Sequence, residues 1–212
     1  IKKVPNTQED EIIFGCGCFW GAEKCFWKLP GVVTTSVGYA GGNKNNPTYY
    51  EVCSGLTGHS EVVRVIWNKN EIDISDLLKM FWECHDPTQK NKQGNDMGTQ
   101  YRSAIFYKNE QNKKTILASK EQYQKELNKN NFGLIETEIK KIETYYYAED
   151  YHQQYLASLG SRQYCSASPT KVKLGVFTGS NYKLKDYVWE NFNWEVDKCV
   201  LRSDNKPIKN KN

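Results

Sequence analysis

The sequence has no long hydrophobic run and no strong excess of one charge. None of its apolar stretches approaches the length needed to cross a membrane. The formal net charge is only +4, from 29 basic and 25 acidic residues, and so small an excess favours nucleic-acid binding only weakly. With 38% hydrophobic and 25% charged residues over 212 positions, the composition predicts one soluble, globular domain with its own core.

The sequence also lacks the cysteine spacing of a zinc site and the even cysteine count of a secreted disulfide framework. Its seven cysteines are Cys16, Cys18, Cys25, Cys53, Cys84, Cys165 and Cys199. Cys16 and Cys18 form a Cys-x-Cys pair, which alone is a weak zinc signal. Further ligands would have to be His59, His85 or His152, and no second Cys-x-x-Cys or close histidine pair completes a set. We expect no metal site, and mostly reduced cysteines of which one or two are reactive.

Hydrophobic periodicity predicts alternating strands and helices. Strands are expected at 11–14, 32–37, 60–67, 101–107 and 136–144, and helices at 18–29, 109–128 and 148–159, with a further helix that Ser75 caps and Asp86-Pro87 ends. In the strand at 60–67, Val63, Val65 and Trp67 share one face. The order of these elements predicts an α+β sandwich in which helices pack on a mixed sheet.

Cys18 stands where a glycine turn gives way to aromatic residues and a helix begins. The short apolar strand is followed by Gly15-Cys16-Gly17-Cys18-Phe19-Trp20, so Cys18 falls in the first turn of the helix. Unpaired backbone N–H groups and the positive end of the helix dipole favour an anion there, so we expect a lowered thiol pKa and a nucleophilic thiolate. Phe19 and Trp20 would form an apolar wall for a small substrate.

Eight segments in order resemble one enzyme family. They are Gly-Cys-Phe-Trp-Gly-Ala-Glu at 17–23, Gly-Tyr-Ala-Gly-Gly at 38–42, Asn-Pro-Thr-Tyr at 46–49, Glu-Val-Cys-Ser-Gly at 51–55, Thr-Gly-His-Ser-Glu at 57–61, Gly-Asn-Asp at 94–96, Gly-Thr-Gln-Tyr-Arg-Ser at 98–103 and Tyr-Ala-Glu-Asp-Tyr-His-Gln-Gln-Tyr at 147–155. Together they resemble the A class of peptide methionine sulfoxide reductases over roughly residues 12–156. The resemblance implies a ferredoxin-like core and a catalytic domain at 1–170. After about residue 168 the composition shifts toward Lys and Asn, which predicts a C-terminal extension of unknown role at 171–212.

The resemblance implies reduction of methionine S-sulfoxide, in proteins and as the free amino acid. Cys18 would attack the sulfur, and Glu61, kept protonated by burial, would donate a proton to the departing oxygen. Tyr49 and Tyr101 would donate hydrogen bonds to the same oxygen as charge develops on it. No metal or organic cofactor is implied.

Three further residues are implied to bind the substrate. Phe19 and Trp20 would hold the methyl group on sulfur. Asp96 would meet the backbone of the substrate methionine. Asp150 and His152 are expected to pack behind the pocket and to hold it in place.

Recycling of the enzyme is implied to need a second thiol. A sulfenic acid on Cys18 would condense with Cys165, the match to the family's resolving cysteine, and thioredoxin would reduce the disulfide. Many bacterial members carry another cysteine shortly afterwards, where this chain has Lys173, and Cys199 is the alternative. We expect a monomer with no nucleic-acid or membrane partner, in the cytoplasm or, after removal of a transit peptide, in an organelle.

Two other classes of function compete with this interpretation. A Cys-dependent peptidase or acyl transferase would use Cys18 with His59 or His152, would form a stable acyl-enzyme, and would give Cys165 no role. A non-catalytic peptide-binding module would keep its affinity in Cys18→Ser and would show no turnover with dithiothreitol.

Overall fold

The fold is an α+β sandwich, seen in a computed structural model that describes residues 3–192 and 204–209. Its elements are β1 (Glu9–Cys16), α1 (Phe19–Trp27), β2 (Val32–Ala40), α2 (Tyr49–Cys53), β3 (Ser60–Asn68), α3 (Ile74–Glu83), β4 (Lys92–Gln93), β5 (Asp96–Met97), β6 (Ser103–Tyr107), α4 (Glu110–Lys129), β7 (Glu138–Lys141), β8 (Tyr145–Tyr147) and α5 (Asp186–Trp189). Short 3-10 turns lie at Thr99–Tyr101, Asp150–His152 and Tyr155–Ala157. Within the described residues, no helix is long and apolar enough to cross a membrane.

Six strands form the main sheet in the order β7-β6-β1-β3-β2-β8. All neighbours are antiparallel except β6 and β7, so the sheet is mixed. The four central strands and helices α1 and α3 follow the chain order β1-α1-β2-β3-α3-β6, which is the ferredoxin-like βαββαβ arrangement. The predicted fold class is therefore confirmed.

The alternation in β3 divides the molecule into two apolar layers. Val63, Val65 and Trp67 belong to the main core between the sheet and the helices. Val62 points to the opposite face, where it joins a smaller cluster of buried side chains. The period-two pattern in the sequence is what one strand needs to bury both faces.

Several predicted boundaries are wrong. Helix α3 is capped by Asp73, which accepts the Ser75 N–H at 2.9 Å, rather than by Ser75 itself. The predicted helix at 148–159 is only two 3-10 turns, because Gln154 adopts a left-handed backbone (φ 47) that no α-helix contains. Tyr101 lies in a 3-10 turn before β6, not in the strand.

The chain after residue 170 packs against the core as far as it is described up to 192. Five of its apolar side chains, Val172, Leu174, Phe177, Val188 and Phe192, belong to the main core. Two buried carboxylates of α3 hold its backbone: Glu83 accepts the Leu174 N–H at 2.9 Å, and Asp76 accepts the Lys183 N–H at 3.0 Å. The predicted division at residue 170 thus falls within continuous packing.

Candidate active site

The turn between β1 and α1 fixes Cys18 at the start of the helix. Gly17 has φ +87, and a Cβ there would lie 2.7 Å from the side chain of Gln93, so only glycine fits without strain. Cys18 is the N-cap residue of α1, and its side chain makes no capping hydrogen bond. Its own N–H donates to Ser166 Oγ at 3.3 Å. The residue is only 8% exposed, so the thiol faces a nearly closed space.

Glu61, on β3, is the residue predicted to act as the acid. Its Oε2 accepts the N–H of Phe19 at 3.1 Å, so the carboxyl lies against the first turn of α1 beside Cys18. The side chain is 2% exposed. Burial, with a smaller contribution from the charge of Asp96, raises the pKa of Glu61 to about 8. Most Glu61 side chains therefore carry a proton at neutral pH.

The expected acidity of Cys18 is wrong for the protein without substrate. Burial, and then the charge of Glu61, raise the pKa of the Cys18 thiol well above its ordinary value. Loss of water around the thiolate outweighs the favourable helix N-terminus. A protonated Glu61 carries no charge and removes the second cause, so protonation of the carboxyl favours ionisation of the thiol.

Two tyrosines share this charged environment. Burial raises the pKa of Tyr49, and so do its contact with the Cys53 thiol and the charge of Glu61. Burial and the charges of Glu61 and Asp96 raise the pKa of Tyr101. Both phenols therefore keep their protons and can donate them in hydrogen bonds at neutral pH.

The two aromatic residues after Cys18 differ in exposure. Phe19 is 1% exposed and belongs to the main core, with its ring 5.1 Å from that of His152. Trp20 is half-buried, stacks on Tyr155 at 3.9 Å and donates its indole N–H to His152 Nδ1 at 3.1 Å. The Trp20 ring is thus the more open of the two apolar surfaces.

His152 packs behind the predicted pocket, as its sequence context suggests. It is 2% exposed, and its ring lies 4.5 Å from that of Tyr49. Glu149 acts beside it: its carboxylate accepts the Tyr49 N–H at 2.8 Å and the Tyr39 hydroxyl at 2.8 Å. Glu149 was not singled out from the sequence, although it lies in the same Tyr-Ala-Glu-Asp-Tyr-His segment.

Asp96 contacts Tyr164, a residue that was not predicted from the sequence to belong to the site. Asp96 Oδ1 accepts the hydroxyl hydrogen of Tyr164 at 2.6 Å. The segment that carries Tyr164 also provides Ser166 to the backbone of Cys18. Residues 164–166 therefore lie against both Asp96 and Cys18, and the Tyr164 hydroxyl is bonded to the carboxylate expected to bind substrate.

Cys165 lies on the same face of α1 as Cys18. A Cβ built on Gly21 would be 2.4 Å from Cys165 Sγ, so the thiol lies directly against that glycine. Gly21 follows Cys18 by three residues, which places the two positions on one face of the helix. The charges of the two thiols interact. The alternative resolving residue, Cys199, lies outside the described residues.

Comparison with known proteins agrees with this arrangement. The family model for peptide methionine sulfoxide reductase matches residues 10–183. The chain is 56% identical over 160 residues to the mitochondrial peptide methionine sulfoxide reductase of Mus musculus, covering 76% of this chain and 68% of the relative. The chain belongs to the peptide methionine sulfoxide reductase family. The resemblance inferred from the eight motifs is confirmed.

Further relatives and solved structures place the chain in the A class of this family. Peptide methionine sulfoxide reductase MsrA of Azotobacter vinelandii is 56% identical over 164 residues, covering 77% of this chain and 76% of the relative. Methionine sulfoxide reductase A of Corynebacterium diphtheriae superposes with a TM-score of 0.66 at 40% identity, covering 76% of this chain and 84% of that structure. The reduced form of Mxr1 from Saccharomyces cerevisiae gives the same TM-score at 35% identity, covering 73% and 87%.

Membership of this family makes the protein an oxidoreductase that reduces methionine sulfoxide. The rival peptidase interpretation also lacks a base. His59 is held by the loop after β2, since its Nδ1 accepts the Gly42 N–H at 3.1 Å and its Nε2 contacts the Lys44 carbonyl at 2.7 Å. His152 Nδ1 accepts the indole N–H of Trp20. In the part of the chain that the structure describes, no hydrogen bond joins either imidazole to the Cys18 thiol, as a nucleophile–base pair requires.

Proposed function

We propose that the protein reduces the S epimer of methionine sulfoxide, in proteins and as the free amino acid, with Cys18 as nucleophile and Glu61 as acid. The observation that carries the proposal is the buried, protonated Glu61 carboxyl held against the first turn of α1 beside Cys18. An ionised carboxylate has no proton to give, whereas this one is ready to donate at neutral pH.

In the first step, Cys18 sulfur attacks the sulfoxide sulfur while Glu61 gives its proton to the sulfoxide oxygen. The phenols of Tyr49 and Tyr101 donate hydrogen bonds to that oxygen as its charge grows. The oxygen then leaves with Cys18 as a sulfenic acid, and methionine is released. The thiol proton of Cys18 restores the proton on Glu61, so the net change is transfer of one oxygen atom from methionine sulfoxide to Cys18.

The substrate would be held from two sides. The half-buried Trp20 ring receives the methyl group, with Phe19 as the buried floor beneath it. Asp96 accepts the backbone N–H of the substrate methionine, in place of the Tyr164 hydroxyl that it accepts in this structure. Substrate binding therefore displaces Tyr164 from Asp96.

Recycling would use Cys165, whose thiol lies on the Cys18 face of α1. The Cys165 thiol attacks the sulfenic acid sulfur, a Cys18–Cys165 disulfide forms, and water leaves. Thioredoxin then reduces this disulfide by thiol–disulfide exchange and becomes oxidised itself. A solved structure of yeast Mxr1 with Trx2 has the same general fold. The chemistry needs no prosthetic group, and we place the monomeric protein in the cytoplasm, where thioredoxin keeps thiols reduced.

The test is a mass spectrum of the protein mixed with methionine S-sulfoxide in the absence of reductant. We expect a loss of two hydrogens, mapped by peptide digestion to a Cys18–Cys165 bond, and one methionine released per chain. A link from Cys18 to Cys199 instead would keep the first step and replace the resolving residue. Recovery of unreacted thiols and unreacted sulfoxide would refute the assignment. The R epimer serves as the matched control substrate and should leave the mass unchanged.

A further inference from the structure

Two cysteines and a histidine lie close together in the core, with a third cysteine near them. The Sγ atoms of Cys16 and Cys84 and a ring nitrogen of His85 lie within 4.8 Å of one another, and all three residues are buried. Cys25, a buried residue of α1, lies near enough to Cys84 for the two thiols to influence each other's pKa. None of these four residues takes part in the proposed reaction.

The four residues reach this point from three elements. Cys16 ends β1, Cys25 lies in α1, and Cys84 and His85 follow α3 directly, with Cys84 as its C-cap. Cysteine alone behaves as a small hydrophobic residue in a core. A group of three buried thiols and an imidazole is instead the ligand set of a tetrahedral metal site.

We propose that Cys16, Cys25, Cys84 and His85 bind a thiophilic metal ion, with Zn²⁺ as the ion favoured by three thiolates and one imidazole. With zinc–sulfur bonds of about 2.3 Å, the ligand sulfurs of a tetrahedral site lie about 3.8 Å apart. The limit of 4.8 Å holds for Cys16, Cys84 and His85, so a small inward movement brings these three to ligand distance, and Cys25 must turn toward them to complete the site. This inference does not rest on the proposed reaction.

The Nε2 atom of His85 is held like the second ring nitrogen of a metal-bound histidine. Its Nδ1 lies 4.0 Å from Cys84 Sγ, and its Nε2 lies 2.8 Å from Ser103 Oγ, which in turn pairs with Thr137 at 2.8 Å. Metal-bound histidines commonly have the second ring nitrogen fixed by a hydrogen bond of this kind.

Metal binding requires one rearrangement of protons. His85 Nδ1 now lies 2.7 Å from the Phe81 carbonyl, which only accepts, so this nitrogen carries the hydrogen. On binding, Nδ1 gives its lone pair to the metal, the hydrogen moves to Nε2 and is donated to Ser103, and the Ser103 hydroxyl donates to Thr137. The three thiols each release one proton.

A buried cation lies next to the cluster. Lys24 is 1% exposed and directly precedes Cys25 on α1. A Zn²⁺ ion with three thiolates and a neutral imidazole carries one negative charge. A nearby ammonium group offsets the cost of burying that charge.

The first experiment measures metal in the full-length protein purified from cells grown with added zinc. We expect one Zn²⁺ per chain in the wild type and a loss of at least tenfold in Cys84→Ser. Cys53→Ser is the matched control, because Cys53 lies in α2, outside the cluster, and should keep its zinc. A Cys18→Ser/Cys165→Ser double variant should also keep its zinc, which separates this site from the reacting thiols.

The second experiment replaces zinc by Co²⁺, whose spectrum reports its ligands. We expect a thiolate-to-cobalt charge-transfer band and the intense visible bands of a tetrahedral site, both absent in Cys84→Ser. Ser103→Ala removes no ligand and should keep the spectrum while weakening metal affinity by ~10–100-fold. This variant keeps the test decisive where Cys84→Ser folds poorly.

Three results would overturn the proposal. The first is a protein that is free of zinc after purification and gives no cobalt spectrum. The second is a cobalt spectrum unchanged by Cys84→Ser, and the third is a disulfide among Cys16, Cys25 and Cys84 in freshly purified protein. Failure of methionine sulfoxide reduction with intact metal binding would bear only on the proposed function.

Discussion

Cys16 and Cys18 are two residues apart, and their surroundings show how one chain gives neighbouring thiols different roles. Both are buried, and burial raises the pKa of each. Cys18 lies near Glu61 and the phenol of Tyr101, both of which we propose to act on the oxygen of a bound sulfoxide. Cys16 faces Cys84, an apolar core and a neutral imidazole. The polar atoms facing a thiol, more than its exposure, therefore distinguish the two sites.

The comparison is tested most strongly by removing the Cys18 sulfur. Cys18→Ser should abolish reduction of methionine sulfoxide, because a serine hydroxyl is not a soft nucleophile and forms no sulfenic acid. The measurement is methionine release in a single turnover. The variant should keep its zinc, so loss of reaction with retained metal would separate the two thiol environments. Measurable turnover in Cys18→Ser would refute the role of this residue.

The second test concerns Cys165, which the structure puts on the Cys18 side of α1. Cys165→Ser should release one equivalent of methionine per chain and then stop, because the sulfenic acid has no resolving thiol. Turnover with thioredoxin should collapse, as followed by NADPH consumption with thioredoxin reductase. Sustained turnover with thioredoxin would transfer the resolving role to another cysteine, and Cys199→Ser in the same background would identify it.

The third test separates Glu61 from the other buried carboxyl near α1. Glu61→Gln should slow formation of the sulfenic acid by ~10²–10⁴-fold, the usual cost of losing a positioned acid. In the wild type, this rate should fall as the pH rises through about 8, because the Glu61 carboxyl then gives up its proton. Single-turnover rates across this range provide the measurement.

Glu23→Gln is the matched control for this third test. Burial raises the pKa of Glu23 to about 7, but its carboxylate accepts the Gln154 N–H at 2.8 Å and the Thr35 hydroxyl at 3.0 Å, away from Cys18. Glu23→Gln should retain the fall in rate near pH 8. A Glu61→Gln protein with the wild-type single-turnover rate would exclude Glu61 as the acid.

The smallest expected effect is on stability. The pKa of Glu61 is about 8 in the folded protein and 4.5 in its reference state, so between these values the folded protein holds a proton that the unfolded chain has released. Stability contributed by this group is therefore lost as the pH rises through that window. In Glu61→Gln, the Tm should fall less as the pH rises. The difference from the wild type corresponds to a change on the order of a few kcal/mol in the free energy of unfolding. Scanning calorimetry in parallel pH series measures it, and identical slopes would contradict the raised pKa.

Much of the architecture followed from local pattern. The period-two alternation of β3 fixed which side chains face the main core, and the apolar spacing after Asn109 predicted α4 to within one residue at each end. Element ends were less predictable. The predicted helix at 148–159 failed because the left-handed Gln154 and the buried Glu23 that binds its N–H are tertiary features.

From the sequence alone, the candidate site could be predicted only as a list of residues in chain order, without their contacts. The motifs around Cys18 and Glu61 identified the family, because that chemistry needs a thiol at a helix start and a proton donor. The pKa of Cys18, the contact of Tyr164 with Asp96 and the place of Cys165 against Gly21 were decided by packing. Desolvation and long-range contacts depend on neighbours far apart in the chain.

By itself, the sequence determined the family and most of the order of strands and helices, and it predicted which sulfur reacts, since these depend on residue type and local spacing. Only the tertiary structure decided which thiols meet. Cys16, Cys25 and Cys84 have no metal-binding spacing, yet all three belong to the main core, where Cys16 and Cys84 lie close to His85 because β1 and the end of α3 meet there. The physical reason is that a ligand set or a shifted pKa depends on distance in space, which separation along the chain does not encode.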